Sequence, residues 1–393
     1  MILLKLPKHV ALLAGLLSAA TLTLAQQSPN PVTTAVPILT LSPDARSAAL
    51  GEAGVALSPD ANAAYYNAGK LGFVPNSYSF SPSYTPWLRS LSPRGGLAYF
   101  SGYARLSPRS TLAASLLYFN PFGTPRNTPG QWNGHESAVS VSYGQALNEH
   151  LGLGATVRYI RSTLTGNNLG GSNAPTHAAA IDLGVYYHKQ VTVGARQYTL
   201  GLGASLSNAG SRMRDTAATL VDILPTNLKI GTAITRAFSA SNKLTLVVDA
   251  NKLVVPTPYY ITGSAPSSPA VVAQNQAIAN QPVIRGMIRS FSDAPGGVQE
   301  ELREITLSTG LEYSHKDIVF VRTGYFYENP KKGNRQYLSV GGGLRYHAVG
   351  IDGAYMIPNS QANPLAQTIR LSLHLNVNKR GGVSPGQSTT PTS

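Results

Sequence analysis

Cysteine is absent from all 393 residues. That excludes disulfides, thiolate metal sites and a lipid anchor on an N-terminal cysteine. Charge is scarce as well. Asp, Glu, Lys and Arg make up 12% of the chain, about half the ~25% common in globular proteins. After the first residues no segment is a continuous apolar 20-mer, so a helical membrane protein is not expected. What is abundant is glycine, 38 residues, and tyrosine, 20 residues. Little charge with much Gly and Tyr suits a membrane barrel with aromatic girdles.

The chain opens like an export signal. Lys5 and Lys8 precede the apolar run Val10–Leu17, and small residues follow up to Ala25. That layout predicts a signal peptide over 1–25, cleaved near Ala25. The apolar run is short for a spanning anchor, which needs ~20 residues. Lys5 and Lys8 are two of 31 basic residues. The 29 that remain stand against 17 acidic ones, a charge of +12. These charges are scattered, with no long Lys/Arg run, in an exported chain. The expected counterparts are outer-membrane lipid or acidic protein partners, and no nucleic acid.

The dominant pattern is period-two alternation in segments of about ten residues. At 150–161, Leu151, Leu153, Ala155, Val157 and Tyr159 share one face, and Gly152, Gly154, Thr156 and Arg158 the other. At 367–377, Ile369, Leu371, Leu373, Leu375 and Val377 oppose Arg370, Ser372, His374 and Asn376. A soluble sandwich would also alternate. The segments, however, are long enough to span, ~9–11 residues when tilted. Their polar faces carry Gly and Ser rather than Lys and Glu, and they follow an export signal. Fourteen strands are expected, near 77–84, 95–104, 110–119, 136–146, 150–161, 177–189, 197–208, 226–237, 242–253, 303–315, 317–328, 335–346, 348–357 and 367–378. The expected fold class is all-β, a transmembrane antiparallel barrel over 77–378 in the bacterial outer membrane.

Three parts do not alternate. Residues 26–76 read as an N-terminal periplasmic or plug-like segment, in which Ser42–Arg46 caps a short helix. Residues 254–302 form a long extracellular loop, with a helical turn expected from Val298. A loop of that size is usually functional. Residues 379–393 are Gly, Ser, Thr and Pro, the composition of a disordered tail.

Several motifs in those parts are specific. Ser42-Pro-Asp-Ala-Arg46 is followed by Leu50-Gly-Glu-Ala-Gly-Val-Ala56, Ser58-Pro-Asp-Ala-Asn62 and Tyr66-Asn-Ala68. Further on stand Tyr84-Thr-Pro-Trp-Leu-Arg89, Ser290–Gly297 with Glu300-Glu301, and Asn363-Pro-Leu365 leading to Thr368-Ile-Arg370. In this order the blocks resemble the PorV (LptO) family, barrels of the type IX secretion system of Bacteroidetes-type bacteria. The resemblance implies a fourteen-stranded barrel related to the FadL fatty-acid channels. It also implies a secretion role: binding the C-terminal signal domain of cargo leaving the SprA (Sov) translocon, and delivery to a surface attachment complex containing the sortase-like PorU. The alternative it leaves is a FadL-like transporter of hydrophobic small molecules. One departure stands out, since the last strand ends Leu375-Asn-Val377, without the terminal aromatic residue usual in such barrels.

No chemistry-bearing constellation is present. None of the eight histidines pairs with another at metal-ligand spacing, and no G-x-S-x-G elbow occurs at a strand-to-helix turn, the lone match at Gly382–Gly386 lying in the Gly, Ser, Thr and Pro tail. No catalytic, cofactor or metal residue is assigned, and no enzyme activity is expected. Arg158, Asp182, Asp249, Arg322, Arg345 and Arg370 are expected to face the lumen, either as a salt-bridged packing for the N-terminal segment or as a ligand-binding interior. Trp87 reads equally as a girdle residue or as part of a fixed turn with Arg89. The Ser290–Gly297 block reads as a rigid turn or as a docking surface. In the docking reading Ile288, Phe291 and Pro295 give apolar contact, and Arg285, Arg289 and Asp293 give charge complementarity.

Overall fold

The computed structural model describes residues 31–87, 95–121, 134–164, 175–214, 221–259, 268–359 and 368–378. The expected signal peptide, Arg89, Asn363–Leu365 and the tail lie outside them.

The alternating segments form fourteen strands: β1 Tyr78–Pro86, β2 Gly96–Ser107, β3 Ser110–Asn120, β4 Glu136–Ala146, β5 Leu151–Ser162, β6 Thr176–Val193, β7 Arg196–Gly210, β8 Asn227–Ser239, β9 Asn242–Leu253, β10 Ile305–His315, β11 Val319–Tyr327, β12 Gln336–Tyr346, β13 Val349–Pro358 and β14 Ile369–Val377. Each pairs antiparallel with its chain neighbour, and β1 closes on β14 with Tyr78 opposite Val377. Closure leaves no strand edge free, as a sheet in a bilayer requires. A separate two-residue ladder joins Met213–Arg214 to Val221–Asp222.

Strand alternation sets the two faces. Val139, Val141, Val157, Ile181, Leu371 and Leu373 point outward and are about half exposed. A band of this kind around the whole barrel is lipid-facing rather than solvent-facing. Tyr143, Tyr313 and Tyr346 flank it at one end, and Tyr84, Tyr118 and Tyr159 at the other, the girdle positions of an outer-membrane barrel. The inward faces are buried and mostly small or polar.

The barrel ends differ. At one end the strands turn over a few residues, and Lys316, Asp317 and His347 adopt the left-handed conformation that tight hairpins demand. At the other end the connections are long. The longest, between β9 and β10, carries three helices: α3 Pro269–Ala279, α4 Val283–Arg289 and α5 Val298–Arg303. The expected turn at Val298 is α5. The other two helices were not apparent from the apolar spacing.

Residues 35–76 run through the interior. They begin at the long-loop end, where the Ala35 N–H donates to Ile223 O at 2.8 Å. They end at the short-turn end, where Phe73 packs edge-on to His188 at 4.4 Å before the chain enters β1. Two single-turn α-helices lie between, α1 Ala45–Ala48 and α2 Ala63–Tyr66, with 3-10 turns at Pro37–Thr40 and Ala68–Phe73. The Asp44 carboxylate caps α1 by accepting from the Ser47 N–H at 3.0 Å, as the SPDAR spacing predicts. Ala45, Ala48, Ala49, Leu50, Ala53, Val55, Ala63 and Leu71 are essentially inaccessible. The segment is the core of the molecule, with the barrel wall wrapped around it.

Candidate functional site

The inner wall is shaped for this segment. A Cβ on Gly144 or Gly154 would meet Ala68 O at 2.4 Å. On Gly203 it would meet Val55 O at 2.4 Å, and on Gly324 the Gly51 N at 2.2 Å. These glycines occur because backbone packs on backbone there, which no side chain permits. Gly341 of the Gly341–Gly343 run behaves likewise, its missing Cβ lying 2.5 Å from Ala49 Cβ.

The six lumen residues expected from the sequence all turn inward. Asp249 accepts from the Gly54 and Val55 N–H groups at 2.7 and 2.9 Å. Arg370 reaches Glu52 at 3.2 Å and donates to Ser42 O. Arg158 pairs with Asp182 at 2.6 Å and donates to Asn208 at 2.7 Å. Asp182 also accepts from the Asn208 N–H at 2.6 Å, where β7 bulges and Asn208 takes φ 59°. Arg322 bridges Glu312 and Asp352 at 2.7 and 2.8 Å. Arg345 reaches Asp352 from the short-turn end at 2.6 Å and is the least buried of the six. Glu312 in turn holds Arg46 of the N-terminal segment at 3.1 Å. Removing either partner of such a pair strands a buried charge. Of the two readings of these residues, the geometry favours the salt-bridged packing. Arg46, Glu312, Asp352 and His374 form one network with Arg322 and Arg345, and Glu52 pairs separately with Arg370. Sequence spacing could not reveal them, because their partners lie up to hundreds of positions away.

The long connection is held by a second charge cluster. Lys252 at the end of β9 contacts Glu301 at 2.8 Å and Glu304 at 2.6 Å, while Lys332 contacts Glu300 at 2.5 Å and Glu304 at 3.0 Å. Glu301 also accepts from the Ala294 N–H, and Glu300 from the Gly296 N–H. Asp293 accepts from the Thr257 N–H and hydroxyl at 3.1 and 2.9 Å. The Ser290–Gly297 block is thus a turn tied back by these hydrogen bonds, two of them to the Glu300-Glu301 pair. Gly297 closes it at φ 65°.

With its polar atoms turned toward the barrel, this turn leaves apolar side chains outside. Ile284 is 72% exposed, Ile288 69%, Phe291 53%, Val298 77% and Leu302 63%. Arg285 and Pro295 are exposed beside them. Arg289 is exposed too and donates to Gln281 at 3.2 Å. Of the expected docking residues, the structure brings Arg285, Ile288, Arg289, Phe291 and Pro295 onto one outward-facing stretch, and uses Asp293 internally. Trp87 is elsewhere. Its ring turns inward, edge-on to Phe119 at 5.1 Å, and its backbone N–H donates to Gly95 O. A ring packed on Phe119 is not turned to lipid as a girdle residue would be, and Arg89, its partner in the turn reading, lies outside the described residues.

Two cavities flank the N-terminal segment. At the long-loop end a cavity of about 390 Å³ is lined by Ile38, Leu41, Trp87, Phe119 and Leu253, with Lys332 and Arg335 at its rim. At the other end a polar cavity of about 870 Å³ is lined by Arg46, Asp60, Glu312 and Arg345 among others. They share no lining residue. Residues 35–76 stand between them. Among the described residues no cluster of three potential metal ligands occurs.

Comparison with known proteins agrees with this geometry. The sequence model of the family described as "Type IX secretion system protein PorV" matches residues 24–260. That span covers the N-terminal segment and β1–β9, and stops before the helices of the long connection. No curated protein matches the chain. Among solved structures, the P. putida toluene transporter TodX aligns with a TM-score of 0.50 at 11% identity, over 87% of this chain and 100% of that one. A Pseudomonas aeruginosa FadL homologue aligns at 0.45 and 11% identity, covering 89% and 100%. The Ralstonia pickettii toluene transporter TbuX aligns at 0.45 and 12% identity, covering 86% and 97%. At such identities the likeness is one of fold.

Proposed function

The chain belongs to the PorV family of type IX secretion system proteins, and from that premise we propose that it is an outer-membrane shuttle. In this reading the barrel is an anchor, exported by a signal peptide cleaved near Ala25. The loop over 254–304 binds the C-terminal signal domain of secreted cargo leaving a SprA/Sov-type translocon and hands it to a PorU-containing attachment complex. No bond is made or broken by this chain, and no cofactor enters. The observation that carries the reading is the exposed apolar stretch on α4 and α5, held rigid by Lys252, Lys332 and the three glutamates. Preorganised, desolvatable apolar anchors beside arginines are what a protein-binding surface needs. The filled lumen supports the same view, since a barrel packed by its own chain is a poor pore.

The second reading is transport of a hydrophobic small molecule, and the 390 Å³ cavity beside Trp87 and Phe119 is what favours it. One experiment separates them: affinity recovery of the full-length protein from detergent-solubilised outer membrane, with proteins and lipids both identified. The shuttle predicts co-recovered proteins that share one type of C-terminal domain. Recovery of none, together with stoichiometric bound fatty acid, would favour transport instead.

A further inference from the structure

We propose a binding site for a phosphorylated lipid headgroup on the outer wall, at the long-loop end of β3–β6. It rests on the outer-membrane placement of the barrel and not on the shuttle reading. In the wall, Tyr118, Ser137, Arg161 and His177 are cross-strand neighbours in one row. All four lie on the outward face, as does His135 just before β4. Two stacks bracket the arginine. Tyr118 lies over His135 at 5.6 Å, and Tyr159 over His177 at 5.8 Å.

The hydrogen bonds leave donors pointing outward. Arg161 Nη1 donates to His135 Nε2 at 2.8 Å, and no carboxylate among the described residues pairs with this guanidinium. The Tyr159 hydroxyl lies 2.6 Å from His177 Nδ1. With the phenol donating, the ring proton of His177 sits on Nε2 and faces away. The row therefore offers the rest of the Arg161 fork, the His177 N–H and the Tyr118 hydroxyl, with no acidic group among them. Such a set suits an acceptor-only oxyanion, and a planar arginine fork matches a phosphate in particular.

The surroundings choose the source of that phosphate. Along the same strands toward the short-turn end, the outward residues are Leu116, Val139, Val157 and Ile181, each about half exposed. A headgroup on Arg161 would lay its acyl chains down this apolar wall, at the depth where the interfacial aromatic belt meets the outer leaflet. Free phosphate would gain nothing from it.

Native mass spectrometry of the full-length protein in detergent tests the site, with three probes: diphosphoryl lipid A, the same lipid after phosphate removal, and inorganic phosphate. Diphosphoryl lipid A should bind about tenfold more tightly than its dephosphorylated form. Arg161→Gln should remove most of that difference, Arg161→Lys should restore part of it, and millimolar inorganic phosphate should not compete. Equal binding of the two lipids, or equal binding by wild type and Arg161→Gln, would overturn the site. Competition by inorganic phosphate would overturn its assignment to lipid. Heat-modifiable migration checks that each variant is a folded barrel. His177→Gln, expected to weaken binding in the same direction, decides the matter if Arg161→Gln fails to fold.

Discussion

The interior segment 35–76 and the loop 254–304 are the two large parts of the molecule that do not alternate, and they are built in opposite ways. In the interior segment the apolar residues are inaccessible, and its polar groups pair with the wall through Asp249, Arg370 and Glu312. In the loop it is the polar groups that turn to the barrel, through Lys252 and Lys332, while Ile284, Ile288 and Phe291 face out. Burying apolar surface stabilises a fold, whereas a buried ion pair acts mainly through the cost of breaking it, which strands a charge. The loop buries Val254, Val255, Val271 and Ala294, but leaves its larger apolar side chains outside. The segment is thus packed core, and the loop presents an exposed apolar surface.

Arg370→Met should be the most damaging, because it leaves Glu52 buried without its cation, at about 3–5 kcal/mol. Thermal unfolding followed by heat-modifiable migration measures it. A loss below ~1 kcal/mol would mean that the lumen is wetter than its burial indicates. Gly324→Val adds atoms where Gly51 and Leu50 already sit. It should cost roughly 1–3 kcal/mol or more and displace the segment rather than the wall. In planar bilayers this variant should conduct ions while the wild type stays closed. A closed Gly324→Val barrel would sink the plug account.

The loop's own latch is weaker. Lys332→Ala should cost about 1–3 kcal/mol locally, read as faster proteolysis within 254–304 with an unchanged barrel transition. Acid should act in the same direction. Burial alone would raise the Glu300 carboxyl, but Lys332 and the Gly296 N–H hold it below its ordinary value. Its contribution is therefore complete above the usual carboxylate range and is lost as pH falls through it. Burial raises the Asp293 carboxyl, which offsets part of this. Loop cleavage by an acid-tolerant protease should rise below about pH 4, and in Lys332→Ala the rise should be blunted. Smallest of all, Phe291→Asp should change stability by about 1 kcal/mol or less, since its ring is half exposed and its cationic neighbour Lys252 lies 5.9 Å from the ring centroid.

The strands were readable because period two is local: all fourteen segments became wall strands, with ends within a few residues except β6, which extends to Val193. The glycines were readable as unusual but not as contacts, because their meaning lies in Leu50, Val55 and Ala68, far away in the chain. The charge network was half readable. Arg158, Asp182, Asp249, Arg322, Arg345 and Arg370 show their face by parity, whereas Arg46 sits on the single-turn helix α1 and Glu52 in irregular backbone, neither of which has a period-two pattern. Helix α3 was missed because its Ala- and Gln-rich stretch carries no apolar stripe. The exposed patch was nearly readable from Ile288 and Phe291, but Val298 and Leu302 join it only once Glu301 folds the turn back.

The central claim is that the barrel anchors a loop kept free for a protein partner. The most direct measurement is quantitative co-recovery with wild type, a 284–297 deletion and Phe291→Asp, each from equal amounts of folded barrel in solubilised outer membrane. The account predicts that wild type brings down proteins sharing one C-terminal domain, that the deletion brings down none, and that Phe291→Asp recovers at least about tenfold less. Undiminished recovery by the deletion would contradict it.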